Sequence, residues 1–366
     1  MRTIFALVFV SCLWACGQAP AMPCRSLGAA HVICGVQNPE DLAVIPNNED
    51  SSAAAPRFVI VSELGSIEPT PPGQLSLLDL TSERITPLFP QGGSGTPPQI
   101  SEGPDWGDAS CPGPPDKRLN PHGIDLARRR DGKQVLYVVN HGGRESVELF
   151  ELLTSDGSYQ LQWRGCVPMA EGVLLNDVAA VPDGGFVTTY MFPRSTAVGS
   201  FYWMLRGMLG GSTGRVLRWQ PGRGLRAVPN TDSAFPNGVQ VSRDGRELFV
   251  GVYLGDELLR LDLDSGKLLG RVAIKQPDDI TWSSDGQLLV ASNVAGMSGM
   301  SSCMRSQGAC PAAFEIVAID PRTLRKTVLI RRQGAPMGAA SVAVSIGHEL
   351  LIGSFKSDRV LRLPRP

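Results

Sequence analysis

The sequence predicts an all-β fold, a six-bladed β-propeller with a calcium site on its axis. Three observations carry that expectation. A local pattern recurs six times along the 366 residues: a polar or small pair, an apolar strand, a turn, and a second apolar strand. Repeats of four-stranded size arranged in a ring make a propeller. The six openings then sit at equivalent places near the axis, and most carry Glu, Asp, Asn or His. The abundance of Gly (41) and Pro (29) suits a chain of many short strands and turns.

The openings are Glu40-Asp41-Leu42, His122-Gly123-Ile124, Asn176-Asp177-Val178, Asn237-Gly238-Val239, Asp278-Asp279-Ile280 and Ala340-Ser341-Val342. In the clearest copies, Val239 and Val241 lead through the turn Asp244-Gly245 to Leu248-Phe249-Val250. Ile280 and Trp282 likewise lead through Asp285-Gly286 to Leu288-Leu289-Val290. Further strands are expected at 135–140, 146–152, 186–190 and 215–219. The last copy runs over 342–346 and 350–354, with a closing strand at 359–363. Propellers shut by pairing their terminal strands, so the segment near 31–36 should complete the last blade. Pro-, Gly- and Ser-rich runs at 92–98 and 103–115 read as surface loops, because the repeats continue beyond them. The polar stretch 47–56 reads as an insertion in the first repeat. Residues 195–209 break the strand pattern. There Val198, Phe201, Tyr202, Leu205 and Met208 fall at roughly helical spacing with almost no charge. Two roles stay open for this helix: packing on the propeller, or an apolar lid or membrane-facing element beside the site.

Residues 1–23 read as an export signal, with Arg2 ahead of an apolar stretch at 4–10 too short to span a bilayer. Residues 24–366 form the propeller. Leu13-Trp14-Ala15-Cys16-Gly17 resembles a bacterial lipobox, with Trp14 unusual there; a lipid on Cys16 would tether the domain to a membrane. Cleavage nearby with Cys16 unmodified is the alternative. The expectation is a periplasmic or envelope-anchored monomer. Six further cysteines suggest disulfides in an exported chain. Neighbours in sequence favour Cys24 with Cys34 and Cys303 with Cys310, leaving Cys111 with Cys166, one arrangement among fifteen. A net charge of -1 gives no electrostatic case for nucleic acid.

Calcium takes six to eight hard oxygen ligands, mixing carboxylates and amide carbonyls. Glu40, Asn176, Asn237, Asp278 and Asp279 supply that mixture and lack the His and Cys that zinc favours. Any one of them alone would read as a strand cap; five at equivalent repeat positions read as a metal site. Asp41 and Asp177 follow first-set residues directly and point away from them along an extended backbone. A deeper calcium could bind there with the Ile124 carbonyl, although the residues alone read better as capping aspartates. His122 opens the second repeat, and His141 closes the returning strand, so both face the same rim. Two imidazoles in contact can relay a proton from water. His31 and His348 receive no role. Gly210-Gly211-Ser212-Thr213-Gly214 matches a nucleophile elbow but lacks the strand-to-helix context that chemistry needs.

Asn120-Pro121-His122-Gly123-Ile124, Val139-Asn140-His141, Ser146-Val147-Glu148-Leu149-Phe150, Leu175-Asn176-Asp177-Val178 and Phe235-Pro236-Asn237-Gly238-Val239 resemble the paraoxonase/arylesterase family. The likeness is collinear from about Cys34 to Leu363. The SMP-30/gluconolactonase proteins are a more distant relative. The resemblance implies a six-bladed propeller with two calcium ions. It implies catalytic ligands Glu40, Asn176, Asn237, Asp278 and Asp279, and a structural calcium at Asp41, Asp177 and the Ile124 carbonyl. A His122–His141 dyad and Phe235 in the pocket wall follow from it too, as does hydrolysis of lactones and aryl esters. The chain departs from the family in three ways. Asp279 stands where paraoxonases have Asn, and Tyr190-Met191 replace an Asp-His pair. No cysteine follows Cys310, so the bridge between chain ends cannot form. The resulting expectation is a calcium-dependent lactonase or arylesterase acting on lipophilic lactones. The alternatives are a sugar lactonase of the gluconolactonase type and a non-enzymatic calcium-bearing binding propeller.

Overall fold

The computed structural model describes residues 21–47, 55–65, 72–90, 106–155 and 157–366. Residues 1–20 of the export signal, with the lipobox and Cys16, most of the 47–56 insertion, the whole loop at 92–98 and the start of the loop at 103–115 lie outside them. The described chain forms six four-stranded antiparallel sheets, each ordered from the axis outward. Blade 1 comprises Pro39–Val44, Phe58–Glu63, Gln74–Asp79 and Ile85–Phe89; blade 2 comprises Pro121–Arg128, Gln134–Asn140, Ser146–Ser155 and Ser158–Pro168. In blade 3 the strands are Leu175–Ala180, Phe186–Tyr190, Arg215–Gln220 and Gly224–Ala227. Blade 4 follows with Pro236–Val241, Glu247–Val252, Glu257–Asp262 and Leu268–Ala273. Blade 5 contains Pro277–Trp282, Leu288–Asn293, Phe314–Ile319 and Lys326–Arg332. Blade 6 takes Ala340–Ile346, Glu349–Ser354 and Arg359–Pro364 from the end of the chain and His31–Cys34 from its beginning.

The terminal pairing expected from the sequence is present, with His31 opposite Arg362 and Cys34 opposite Arg359. Arg359 is fully buried and secures this seam. Its guanidinium donates to the carbonyls of Met22 and Pro23 at 2.7 Å and of Pro336 at 3.1 Å, and to the Asp358 carboxylate at 2.6 Å. The Cys24–Cys34 disulfide lies beside it, so a cation and a local bridge tie the ends where no end-to-end disulfide exists. Cys111–Cys166 and Cys303–Cys310 are the other two pairs, the arrangement favoured from sequence.

Most of the apolar core sits between blades. Leu42, Val59, Val342, Val344 and Leu351 fill the wedge between blades 6 and 1. Val139, Leu149, Leu175, Phe186 and Trp219 fill the one between blades 2 and 3. Polar ties cross the same seams closer to the axis. Ser62 donates to the His122 carbonyl at 2.5 Å, Thr189 to the Asn237 carbonyl at 2.6 Å, and Ser341 to the Glu40 carbonyl at 2.5 Å. A Cβ at Gly238 would meet the Asp278 carbonyl at 2.2 Å, and one at Gly123 would lie 2.5 Å from the Asp177 Cα. Glycine at these two openings therefore lets neighbouring inner strands approach.

Among the described residues two α-helices leave the ring, α1 (Ala197–Met208) in blade 3 and α2 (Gly296–Arg305) in blade 5. Each connects a second strand to a third, so both lie at the end where the inner strands begin. The sequence pattern did not indicate α2.

Candidate metal and histidine centre

Every inner strand carries a register irregularity at its opening, between Pro39 and Asp41, Pro121 and Ile124, Leu175 and Val178, Pro236 and Val239, Pro277 and Ile280, and Ala340 and Ala343. A bulge re-aims side chains that strict alternation would send to opposite faces. Here it turns the opening residues toward the axis. Carboxylate oxygens of Glu40, Asp278 and Asp279 come within 4.8 Å of one another. Asp278 and Asp279 are adjacent in sequence, yet both enter the cluster, which a regular strand would forbid.

These residues are buried, and several oxygens around them lack partners. Glu40 Oε2, Asn176 Oδ1, Asn237 Oδ1 and both Asp279 carboxylate oxygens make no hydrogen bond. Orphaned buried acceptors are costly unless something else satisfies them. The Asn176 amide NH₂ is occupied by Met191 Sδ at 3.3 Å, leaving its carbonyl oxygen free. Met191 belongs to the Tyr190-Met191 pair noted above as a departure from the paraoxonase pattern. Asp278 is held by the Asn293 amide at 3.0 Å. The donor set is oxygen-only, charged and desolvated, which fits a hard divalent cation. Burial, with Asp278 and Asp279 further pressed by Glu40, pushes both acids well above the usual carboxylate range. Burial likewise pushes Glu40 up to about 8, partly offset by His141. A bound cation would reverse that pressure.

Asp41 and Asp177 face the other way, into a cavity of about 400 Å³ at the far end of the axis, which Asp279 and Ile124 also line. Asp41 accepts from the amides of Leu42 at 2.7 Å and Ile124 at 2.6 Å. Asp177 accepts from Val178 and Val239, both at 2.7 Å. Each carboxylate thus ties its own blade to the next, as the capping reading expects. Each oxygen keeps a second lone pair for a cation.

On the opposite side of the cluster, His122 Nδ1 lies 2.8 Å from His141 Nε2, with the rings edge to face. His122 Nε2 is 3.3 Å from Glu40 Oε1. Burial lowers His122 to about 4, so the ring is neutral. His141 continues the chain: its Nδ1 lies 3.0 Å from both oxygens of Glu145. Glu145 in turn accepts from the Leu175 amide at 2.6 Å and pairs with Arg194 at 2.7 Å. Burial pushes Glu145 upward, but His141, the Leu175 amide and Arg194 outweigh it and hold the acid below its usual value. A carboxylate on His141 Nδ1 assigns that nitrogen the proton. His141 Nε2 then accepts from His122 Nδ1–H, and His122 Nε2 is left as the free base beside the cluster. Sequence reading missed Glu145 and Arg194. The one available signal was Glu145 four residues beyond a histidine already singled out.

Phe235 is half-buried and sits in the left-handed region, with φ of 63°. Its amide donates to Thr213 Oγ1 at 2.8 Å, and that hydroxyl donates to the Met191 carbonyl at 2.7 Å. Thr213, within the Gly-rich stretch that mimicked a nucleophile elbow, is thus a structural peg. Phe192, Phe235 and Tyr253 form an aromatic row with centroids 5.3 and 5.4 Å apart. Helix α1 packs on the turn Tyr253–Gly255 through Gly207, whose Cβ position would lie 2.6 Å from Leu254. The apolar residues that suggested an amphipathic helix are its outer face. Phe201 is 69% exposed and Val198 80%, so they do not pack on the propeller, and the packing role fails for them.

The family description Arylesterase matches residues 26–361. No curated protein matches in sequence. Among solved structures, the fold is similar to a gluconolactonase from Xanthomonas campestris (17% identity, 95% of this chain and 98% of that one, TM-score 0.51). It is also similar to a luciferin-regenerating enzyme (13% identity, 90% and 92% coverage, TM-score 0.52). At these identities the likeness speaks to the fold.

Proposed function

This chain belongs to the arylesterase family, and from that premise we propose a calcium-dependent hydrolase of lactones and aryl esters that favours lipophilic lactones. The observation that carries the reading is the junction of two features at one spot: orphaned oxygens from blades 1, 3, 4 and 5, and a free imidazole nitrogen 3.3 Å from Glu40. Glu40, Asn176, Asn237, Asp278 and Asp279 would hold the catalytic calcium, and Asp41, Asp177 and the Ile124 carbonyl a second ion. Calcium in the first set supplies Lewis-acid polarisation of a carbonyl placed against it.

The chain's own residues handle the proton. His122 Nε2 takes it from the attacking water as the new carbon–oxygen bond forms, while His122 Nδ1 passes its proton toward His141 Nε2. The Glu145 carboxylate stabilises the His141 cation that results. When the ester carbon–oxygen bond breaks, the same proton returns to the departing alkoxide, giving hydroxy acid or phenol. The aromatic row, which reaches the site through Phe235 two residues before Asn237, would give an apolar wall suited to an acyl chain. The three disulfides suit an oxidising compartment, in keeping with export. No helix among the described residues is long and apolar enough to cross a membrane. A lipid on Cys16 would give the membrane attachment.

The test is turnover of alkyl-substituted lactones and phenyl acetate by the purified chain, with calcium and after chelation. Activity lost to chelator and restored by calcium supports the reading. No turnover with calcium bound would leave a non-enzymatic binding propeller.

A further inference from the structure

The second residue of the motif opening alternates around the ring. It is Asp in blades 1, 3 and 5 (Asp41, Asp177, Asp279) and Gly in blades 2 and 4 (Gly123, Gly238). Two of the three aspartates are anchored alike, each by its following amide and by an amide of the next blade. Asp279 shares their repeat position and lacks both bonds. It is 2% exposed, its two oxygens have no partner, and it joins the carboxylates of Glu40 and Asp278.

By the oxygens that converge, the carboxylates divide three and two, with Asp279 also lining the cavity of the lower pair. Glu40, Asp278 and Asp279 form the upper group, completed by the neutral amide oxygens of Asn176 and Asn237. Asp41 and Asp177 form the lower one. Among the described residues no lysine or arginine forms an ion pair with any of the five; His122 lies 3.3 Å from Glu40, and Asp125 lines the lower cavity. Buried charge without countercharge is expensive. One divalent ion in each group neutralises four of five charges. A trivalent ion above matches the three carboxylates that converge there.

We infer that the upper group is charge-matched to a trivalent hard cation of about calcium's size, a lanthanide ion, and that Asp279 is the residue that confers this preference. The inference rests on the reading of this cluster as a cation site and concerns which cation it takes. Lanthanide ions share calcium's demand for many oxygen ligands. Ligand charge count is the main lever by which an oxygen site of fixed size separates such ions. The two asparagines add coordination without adding charge, so the charge of the upper group changes by one unit with the single residue at 279.

The experiment titrates the metal-free full chain with lanthanum and with calcium by calorimetry, alone and in competition, for the parent and for Asp279→Asn. The expected result is a lanthanum-over-calcium preference that falls on the order of a hundredfold in Asp279→Asn, mainly through weaker lanthanum binding. Asp279→Glu, which restores the charge, should recover most of the preference. An unchanged preference in Asp279→Asn, with calcium still bound, overturns this inference and leaves the calcium reading standing. Binding of neither ion by the parent chain overturns both.

Discussion

Glu145 holds His141 through both carboxylate oxygens, each 3.0 Å from Nδ1. That contact fixes the tautomer of the whole histidine chain and so decides which nitrogen of His122 is the base. Glu145→Gln should remove the fixed acceptor and lower lactone turnover about a hundredfold, with bound calcium unchanged. The pH–rate profile should move with it, because the cation on His141 loses its counter-charge. Parent-like turnover and an unmoved profile would take Glu145 out of the relay.

His122→Gln removes the base itself. Turnover should fall by about 10²–10⁴-fold while calcium affinity, measured by calorimetry, stays near that of the parent. Unchanged lactonase activity would exclude His122 from the mechanism.

Stability of the metal-free protein should depend on pH with a definite sign. Burial and crowding raise Glu40 to about 8 and lift Asp41, Asp177, Asp278 and Asp279 well above the usual range. Across that window the folded state binds more protons than the unfolded chain, so stability falls as pH rises. The melting temperature of chelated protein should drop between about pH 5 and about pH 8, and saturating calcium should flatten the slope. A chelated protein whose melting temperature rises over that range would contradict the assignment.

Most of the ring was legible before any coordinates. Apolar alternation and Asp-Gly turns such as Asp244-Gly245 mark strand pairs directly, and the openings repeat at blade spacing. The site was legible to the same depth, because Glu40, Asn176, Asn237 and Asp278 occupy one repeat position. What the pattern hid has physical causes. Alternation cannot foresee a bulge, so the convergence of Asp278 and Asp279 needed the register itself. Helical periodicity finds an apolar face but not the side it turns to, which is why the outward set of Phe201 and Val198 was open. Glu145 lies in a loop, where no periodicity marks a residue.

Phe235 should set substrate preference without setting the chemistry. Phe235→Ala removes the middle of the Phe192–Phe235–Tyr253 row. KM for long-chain lactones should rise about tenfold, while short lactones lose little. Equal losses for long and short substrates would argue against an apolar wall there.

Arg359 offers a test of the seam. Arg359→Met leaves the carbonyls of Met22, Pro23 and Pro336 without their donor in a buried place. The cost should be about 3–5 kcal/mol by chemical denaturation, with the Cys24–Cys34 bond intact. A loss within about 0.5 kcal/mol would show that the seam does not depend on it.

The sixth blade draws three strands from the end of the chain and one from its beginning. A chain still being synthesised therefore has no route to a closed ring, however many blades it has completed. Until residues 359–364 emerge, the strand at 31–34 has no partner and blade 1 has only one neighbour. Closure is a late event of the longest sequence separation in the molecule, and contacts of that kind form slowly. The open intermediate carries free strand edges that invite pairing between molecules. An exported version of this chain thus has a built-in delay: it can stay unclosed through synthesis and lock only after its last residues have crossed.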